Sequence, residues 1–164
     1  MGADKDAFLS GRSASAVGDR VLHVDTTEAA TTAVTTLETL WSWVMPAFTL
    51  ARAGQAIEIV AFGKFGANGN TKNLFLNMGG DAVLARASTG NGTGWVMRAR
   101  VIRLTSGTYI AQGDAIMATT AFASVPAAAS EDFTTDLTLA MKSQNGTASA
   151  GDTVFQGVIV RKLT

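Results

Sequence analysis

Between Gln55 and Leu104 the chain alternates with a period of two, and this restricts its fold more than any other feature. Ile57, Ile59, Ala61 and Gly63 share one face of the first run; Glu58, Val60, Phe62 and Lys64 share the other. A period of two sends successive side chains to opposite sides of a strand. The cluster Gly66-Ala67-Asn68-Gly69-Asn70 suits tight or left-handed turn backbone. Lys72 to Met78 reads as a second strand with Leu74, Leu76 and Met78 in phase, and Gly79-Gly80-Asp81 as a hairpin turn. Val83 to Ala87 is its return strand. Gly90-Asn91-Gly92-Thr93-Gly94 turns again, and Trp95 to Leu104 is the longest strand. Consecutive strands joined by short turns build an antiparallel sheet.

The flanking segments extend the pattern. Val21 to Val24 is a short strand, and Thr26 to Thr36, rich in β-branched Thr, reads as extended or irregular. Leu37 to Val44 is a strand closed by Met45-Pro46, because proline cannot donate to a ladder. Ala47 to Leu50 continues as a short extended piece. Tyr109 to Ala123 holds either one strand or two, the second case broken at Gln112-Gly113-Asp114, and Val125 to Ala129 reads as a linker. Phe133 to Lys142 alternates as a half-buried strand, and Asn145-Gly146 is a turn. Val154 to Leu163 is apolar on both faces, as befits a central or interfacial strand. Eight or nine strands with turn signals every ~8–12 residues predict an all-β, antiparallel, jelly-roll-like β-sandwich over residues 21–164. Residues 1–20 are small and charged apart from Phe8, Leu9 and Val17. They read as an extended N-terminal arm, able to reach roughly 65 Å, with Phe8 and Leu9 as its apolar anchor on a neighbouring subunit.

Composition narrows the function. Only 16% of residues are charged, with 13 basic and 13 acidic side chains. Nucleic-acid binders carry a basic excess that displaces counterions from phosphate, so no nucleic-acid partner is expected. A surface rich in Thr, Ser, Asn, Ala and Gly suits large contacts between subunits, so an oligomer is expected. There is no Cys, hence no disulfide framework and no thiolate metal site. No apolar run suits a signal peptide or a membrane span, so assembly in a cytoplasm without Sec export is expected.

Sequence signals for chemistry are few. His23 is the only histidine, which makes a transition-metal site improbable and leaves a Ser–His–Asp set without a supporting local motif. Gly63-Lys64-Phe65-Gly66 has the look of a phosphate loop but lacks its spacing; Gly90, Gly92 and Gly94 do not make a dinucleotide fingerprint. Glu131, Asp132 and Asp136 form an acidic cluster for which glycoside cleavage or Ca²⁺ binding is the functional reading and a solvated loop end the plainer one. Arg86, Arg98, Arg100 and Arg103 place four positive charges on one segment. They are either a solvent face paired with acids on adjacent strands, or a docking stripe for an acidic partner. Trp41, Trp43 and Trp95 could stack on sugars, although core packing suits at least two of them. Asn91-Gly92-Thr93 and Asn145-Gly146-Thr147 are sequons that mark turns here. Neither a cofactor nor a catalytic residue is expected.

Several runs, in their order along the chain, resemble the β-sandwich structural domains of tailed bacteriophages found in virion surface and fibre proteins. They are Thr35 to Leu50 with its Leu40-Trp41-Ser42-Trp43-Val44-Met45-Pro46 centre, Gly54 to Gly63, the Asn-rich loop with Lys72-Asn73-Leu74, Gly79-Gly80, and Trp95 to Arg103. The resemblance covers about residues 35–163 and excludes the arm. It implies a jelly-roll-like domain, often trimeric, with no catalytic residues to carry over. The absence of a long shaft favours a capsid decoration (cement) protein on the virion surface, with the major capsid protein and further copies of the chain as partners and Phe8, Leu9, Arg98, Arg100 and Arg103 as the candidate partner-binding residues. The alternative is a tail fibre or receptor-binding protein contacting host glycans.

Overall fold

A computed structural model of the chain describes residues 20–124 and 127–163. Its strands are β1 (Arg20–Asp25), β2 (Ala29–Ala30), β3 (Glu38–Met45), β4 (Ala56–Phe65), β5 (Lys72–Met78), β6 (Asp81–Ser88), β7 (Gly94–Arg103), β8 (Tyr109–Met117), β9 (Thr120–Ala123), β10 (Ala127–Ala129), β11 (Leu137–Asn145) and β12 (Thr153–Leu163). Among the described residues nine of these have six residues or more; β2, β9 and β10 are short additions.

All pairings are antiparallel and fall into two sheets. One runs β1-β12-β4-β7-β8-β10, with β2 also on β12 and β9 also on β8; the other runs β3-β11-β5-β6. The pairs β1–β12, β3–β11, β4–β7 and β5–β6 are nested in the sequence, like rungs of one long hairpin whose tip is the β5–β6 turn. Folding that hairpin over on itself pairs β12 with β4 and β11 with β5. This is an all-β, jelly-roll-like sandwich, the class expected from the strand count and turn spacing. β12 lies between β1 and β4, which explains its apolar character on both faces.

Ile57, Ile59 and Ala61 of β4 and Met97, Ala99 and Val101 of β7 face Leu74, Leu76, Leu139 and Met141 of the opposite sheet, all essentially inaccessible. Each of the larger side chains, the two alanines apart, contributes about 1.5–3 kcal/mol by leaving water. Gly63 lies opposite Trp95 in the β4–β7 register. The indole covers it, and Trp95 Nε1 donates to the Lys64 carbonyl at 3.2 Å.

Four local expectations need correction. β8 runs unbroken through Gln112-Gly113-Asp114; the break falls at Ala118, whose φ is 58°. Ser124 explains this, since its hydroxyl accepts from Gly113 N at 2.7 Å and donates to Gly113 O at 3.0 Å, closing the neighbouring edge. Ala127–Ala129, within the expected linker, adds a strand to β8. β11 begins at Leu137, not Phe133, because Asp132 accepts from Thr134 and shapes a turn there. Residues 47–50 form a turn and not an extended piece.

Candidate interaction surfaces

The outer face of the larger sheet carries the four-charge group around Glu58. Glu58 and Arg100 are cross-strand partners on β4 and β7, and Arg100 Nε donates to Glu58 Oε1 at 3.0 Å. Arg98 lies 3.9 Å from the same oxygen and 3.8 Å from Asp114 on β8. The acids on adjacent strands therefore meet the arginines, as the solvent-face reading expects. Val24, Ile102 and Ile116 are exposed around this group on the same sheet, and Val60, Phe62, Val96 and Ile159 are half-buried beside them.

Arg103 does not belong to that stripe. It is in phase with Met97, Ala99 and Val101 and is buried. Its Nε donates to the Thr105 carbonyl at 2.7 Å, its Nη1 donates to the Leu50 carbonyl, and its guanidinium sits 5.5 Å from the Phe133 ring centroid. Arg86 lies on β6 in the other sheet, where its Nη1 donates to the Ala85 carbonyl at 2.7 Å. Phe8 and Leu9 lie outside the described residues.

The tryptophans are mostly core. Trp95 and Trp41 are 1% and 5% exposed, so neither is free to stack on a sugar. Trp43 is half-buried. His23 stacks on it at 4.9 Å with an interplanar angle of 11°, bridging β1 of one sheet to β3 of the other. His23 also approaches Trp41 at 5.8 Å, which makes it part of the aromatic closure between the sheets.

The three acids of the Glu131–Asp136 cluster serve three separate loops. Glu131 Oε1 accepts from Gly80 N at 2.8 Å, tying the β5–β6 turn. Asp136 Oδ1 accepts from Ala47 N at 2.8 Å. Asp132 Oδ1 accepts from the Thr134 hydroxyl and amide, which hold its carboxyl below the usual range. Among the described residues no group of three or more His, Asp or Glu is placed to hold a metal ion.

The sequence reading missed two features. The first is a buried polar knot at one end of the sandwich. Lys72 Nζ donates to the carbonyls of Asn68 and Gly90 at 2.7 and 2.9 Å and to Asn68 Oδ1 at 2.9 Å. Asp152 accepts from the side-chain amides of Asn68 and Asn70. The Asn-rich turn is thus an internal brace. An in-phase lysine among Leu74 and Leu76 was its only sequence signal. The second is Phe48, 60% exposed, on the turn after Pro46.

No family model matches the chain, and no curated protein does. Three solved structures are similar at low level. A protein of unknown function, SO2946 from Shewanella oneidensis MR-1, aligns at 11% identity with a TM-score of 0.41, over 88% of this chain and 74% of that one. A chain of infectious bursal disease virus, Gt strain, aligns at 13% identity and TM-score 0.36, over 88% of this chain and 33% of its own length. The CBM2 module of the evolved Dit of Lactobacillus casei BL23 phage J-1 aligns at 7% identity and TM-score 0.31, over 75% and 69%.

Proposed function

We propose that this chain is a non-enzymatic structural protein of a virion, a decoration (cement) protein that binds the outer surface of a tailed-phage head as a homotrimer. The observation that carries the reading is the outer face of the eight-stranded sheet. There a mixed-sign cluster, Glu58, Arg98, Arg100 and Asp114, is framed by exposed Val24, Ile102 and Ile116. Apolar contacts around oriented charges suit a protein partner, with the charges setting register and the apolar rim supplying area. The jelly-roll-like sandwich and the resemblance of residues 35–163 to phage virion domains support the same reading. Many weak contacts, each made only with an assembled shell, stabilise that shell by mass action.

Co-sedimentation with expanded empty heads of the cognate phage tests it. The wild-type chain is expected to pellet with heads, and Ile116→Lys combined with Arg98→Glu to stay in solution while keeping its melting temperature within a few degrees. A wild-type chain that does not bind those heads removes the reading. Exposed Phe48 beside half-buried Trp43 favours the second reading, a fibre or receptor-binding protein that stacks on host glycans. A glycan screen that saturates with the wild type and fails with Phe48→Ala would install it instead.

A further inference from the structure

At one end of the sandwich a cavity of about 380 Å³ opens between the two sheets. Leu22, Trp43, Pro46 and Phe48 form its apolar wall; Arg20, Thr49 and Lys162 form its polar side. Arg20 and Lys162 are direct cross-strand partners in the β1–β12 register. Like charges facing each other on a sheet repel, and among the described residues no acidic side chain lines the cavity. Phe48 adds a second sign of function. Its φ is 60°, a region that bulky residues seldom enter, and its ring projects outward, 60% exposed. The turn is nonetheless fixed: Phe48 N donates to the Phe133 carbonyl at 3.0 Å, and Lys162 Nζ donates to the Thr49 carbonyl at 2.6 Å. A fixed, outward aromatic ring beside two facing cations suits a ligand that carries carboxylates and large apolar groups together.

We propose that this ligand is the segment Asp4–Leu9 of a neighbouring copy of the chain. Asp4-Lys5-Asp6-Ala7-Phe8-Leu9 places two carboxylates just ahead of two large apolar side chains. Asp4 and Asp6 would answer Arg20 and Lys162, and Phe8 and Leu9 would fill the wall made by Trp43, Phe48 and Leu22. Residues 1–19 lie outside the described structure, and the described chain begins at Arg20, itself a lining residue. About 12 residues separate Phe8 from Arg20, a reach of roughly 40 Å when extended, comparable with the width of a small domain. Each copy then gives one segment and receives one, a head-to-tail contact that closes into a ring when its rotation permits. The inference concerns the protein alone, so it stands or falls independently of head binding.

The chain has no Cys, which makes disulfide trapping clean. Leu9→Cys protein is mixed with Thr49→Cys protein and oxidised with copper phenanthroline. Docking raises the effective concentration of the pair into the millimolar range. The mixed interchain disulfide is therefore expected to form about 100-fold faster than with the control Thr119→Cys, and to lose that advantage when Asp4→Lys and Asp6→Lys are added. Equal rates with Thr49→Cys and Thr119→Cys overturn the proposal. So does a chain carrying both Leu9→Cys and Thr49→Cys that links only within itself. If Thr49→Cys fails to fold, Ala47→Cys, on the same turn but outside the cavity lining, repeats the same comparison.

Discussion

Tyr109 meets Phe133 edge-on, with ring centroids 6.1 Å apart and planes at 88°. The contact gathers three distant stretches: the start of β8, the turn before β11, and, through Arg103 over the same Phe133 ring, the end of β7. Tyr109 is also the only tyrosine. Burial, with Asp81 and Glu131 nearby, pushes its hydroxyl up to about 12 from a usual 10.0. A raised folded value means stability that is complete below the unfolded value and lost as pH rises through the folded one. Tyrosinate absorbance is therefore expected only near pH 12, and the midpoint of urea unfolding is expected to fall between pH 10 and pH 12. A titration near pH 10 in the folded chain would contradict this packing.

Lys72→Met is expected to cost about 2–4 kcal/mol, because it strips the buried ammonium donor from the carbonyls of Asn68 and Gly90 and from Asn68 Oδ1. For Asp152, burial raises the carboxyl value, but hydrogen bonds from Asn68, Asn70 and Ser149 and the charge of Lys72 outweigh it and leave it lowered. A lowered folded value gives stability that is present above the usual carboxylate range and lost as pH falls through the folded value. Asp152→Asn should therefore flatten the acid limb of a stability–pH curve, read by denaturant unfolding from pH 6 down to pH 2.

Gly63→Ala is expected to abolish folding or cost at least ~4 kcal/mol. An added Cβ would meet the Val154 carbonyl oxygen at 2.0 Å and the Trp95 ring at 2.6 Å, and the first of these is backbone that cannot step aside. Expression and circular dichroism decide it. The glycine is there for close approach of an indole and a neighbouring strand, and a chain that tolerated alanine would refute that.

Arg100→Ala and Arg103→Ala should differ although they lie three residues apart. Arg100 is a mostly exposed partner of Glu58, and exposed pairs contribute about 0–1 kcal/mol. Arg103 bridges two carbonyls and covers Phe133 from inside, so its removal is expected to cost about 2–4 kcal/mol. Thermal melts of the two variants provide the comparison.

Part of this contrast was already legible in the sequence. Trp95, Met97, Ala99, Val101 and Arg103 share one phase of the β7 alternation, and Arg98 and Arg100 the other, so parity alone puts Arg103 with the core. Grouping four arginines by proximity overlooked it. Glu58, by contrast, stands 42 positions from Arg100, and nothing local announces that pairing.

The sequence by itself determined the strands. Alternation and turn chemistry act over two to five residues, so β4 to β7 can be read from their own side chains, as can the apolar character of β12. Tertiary structure alone decided which strands are neighbours, which acids serve as loop braces, and where an aromatic ring such as Phe48 is left outside. The β1–β12 register places Arg20 against Lys162 across almost the whole chain. Such contacts depend on how the long hairpin folds over, and no window of residues records that choice.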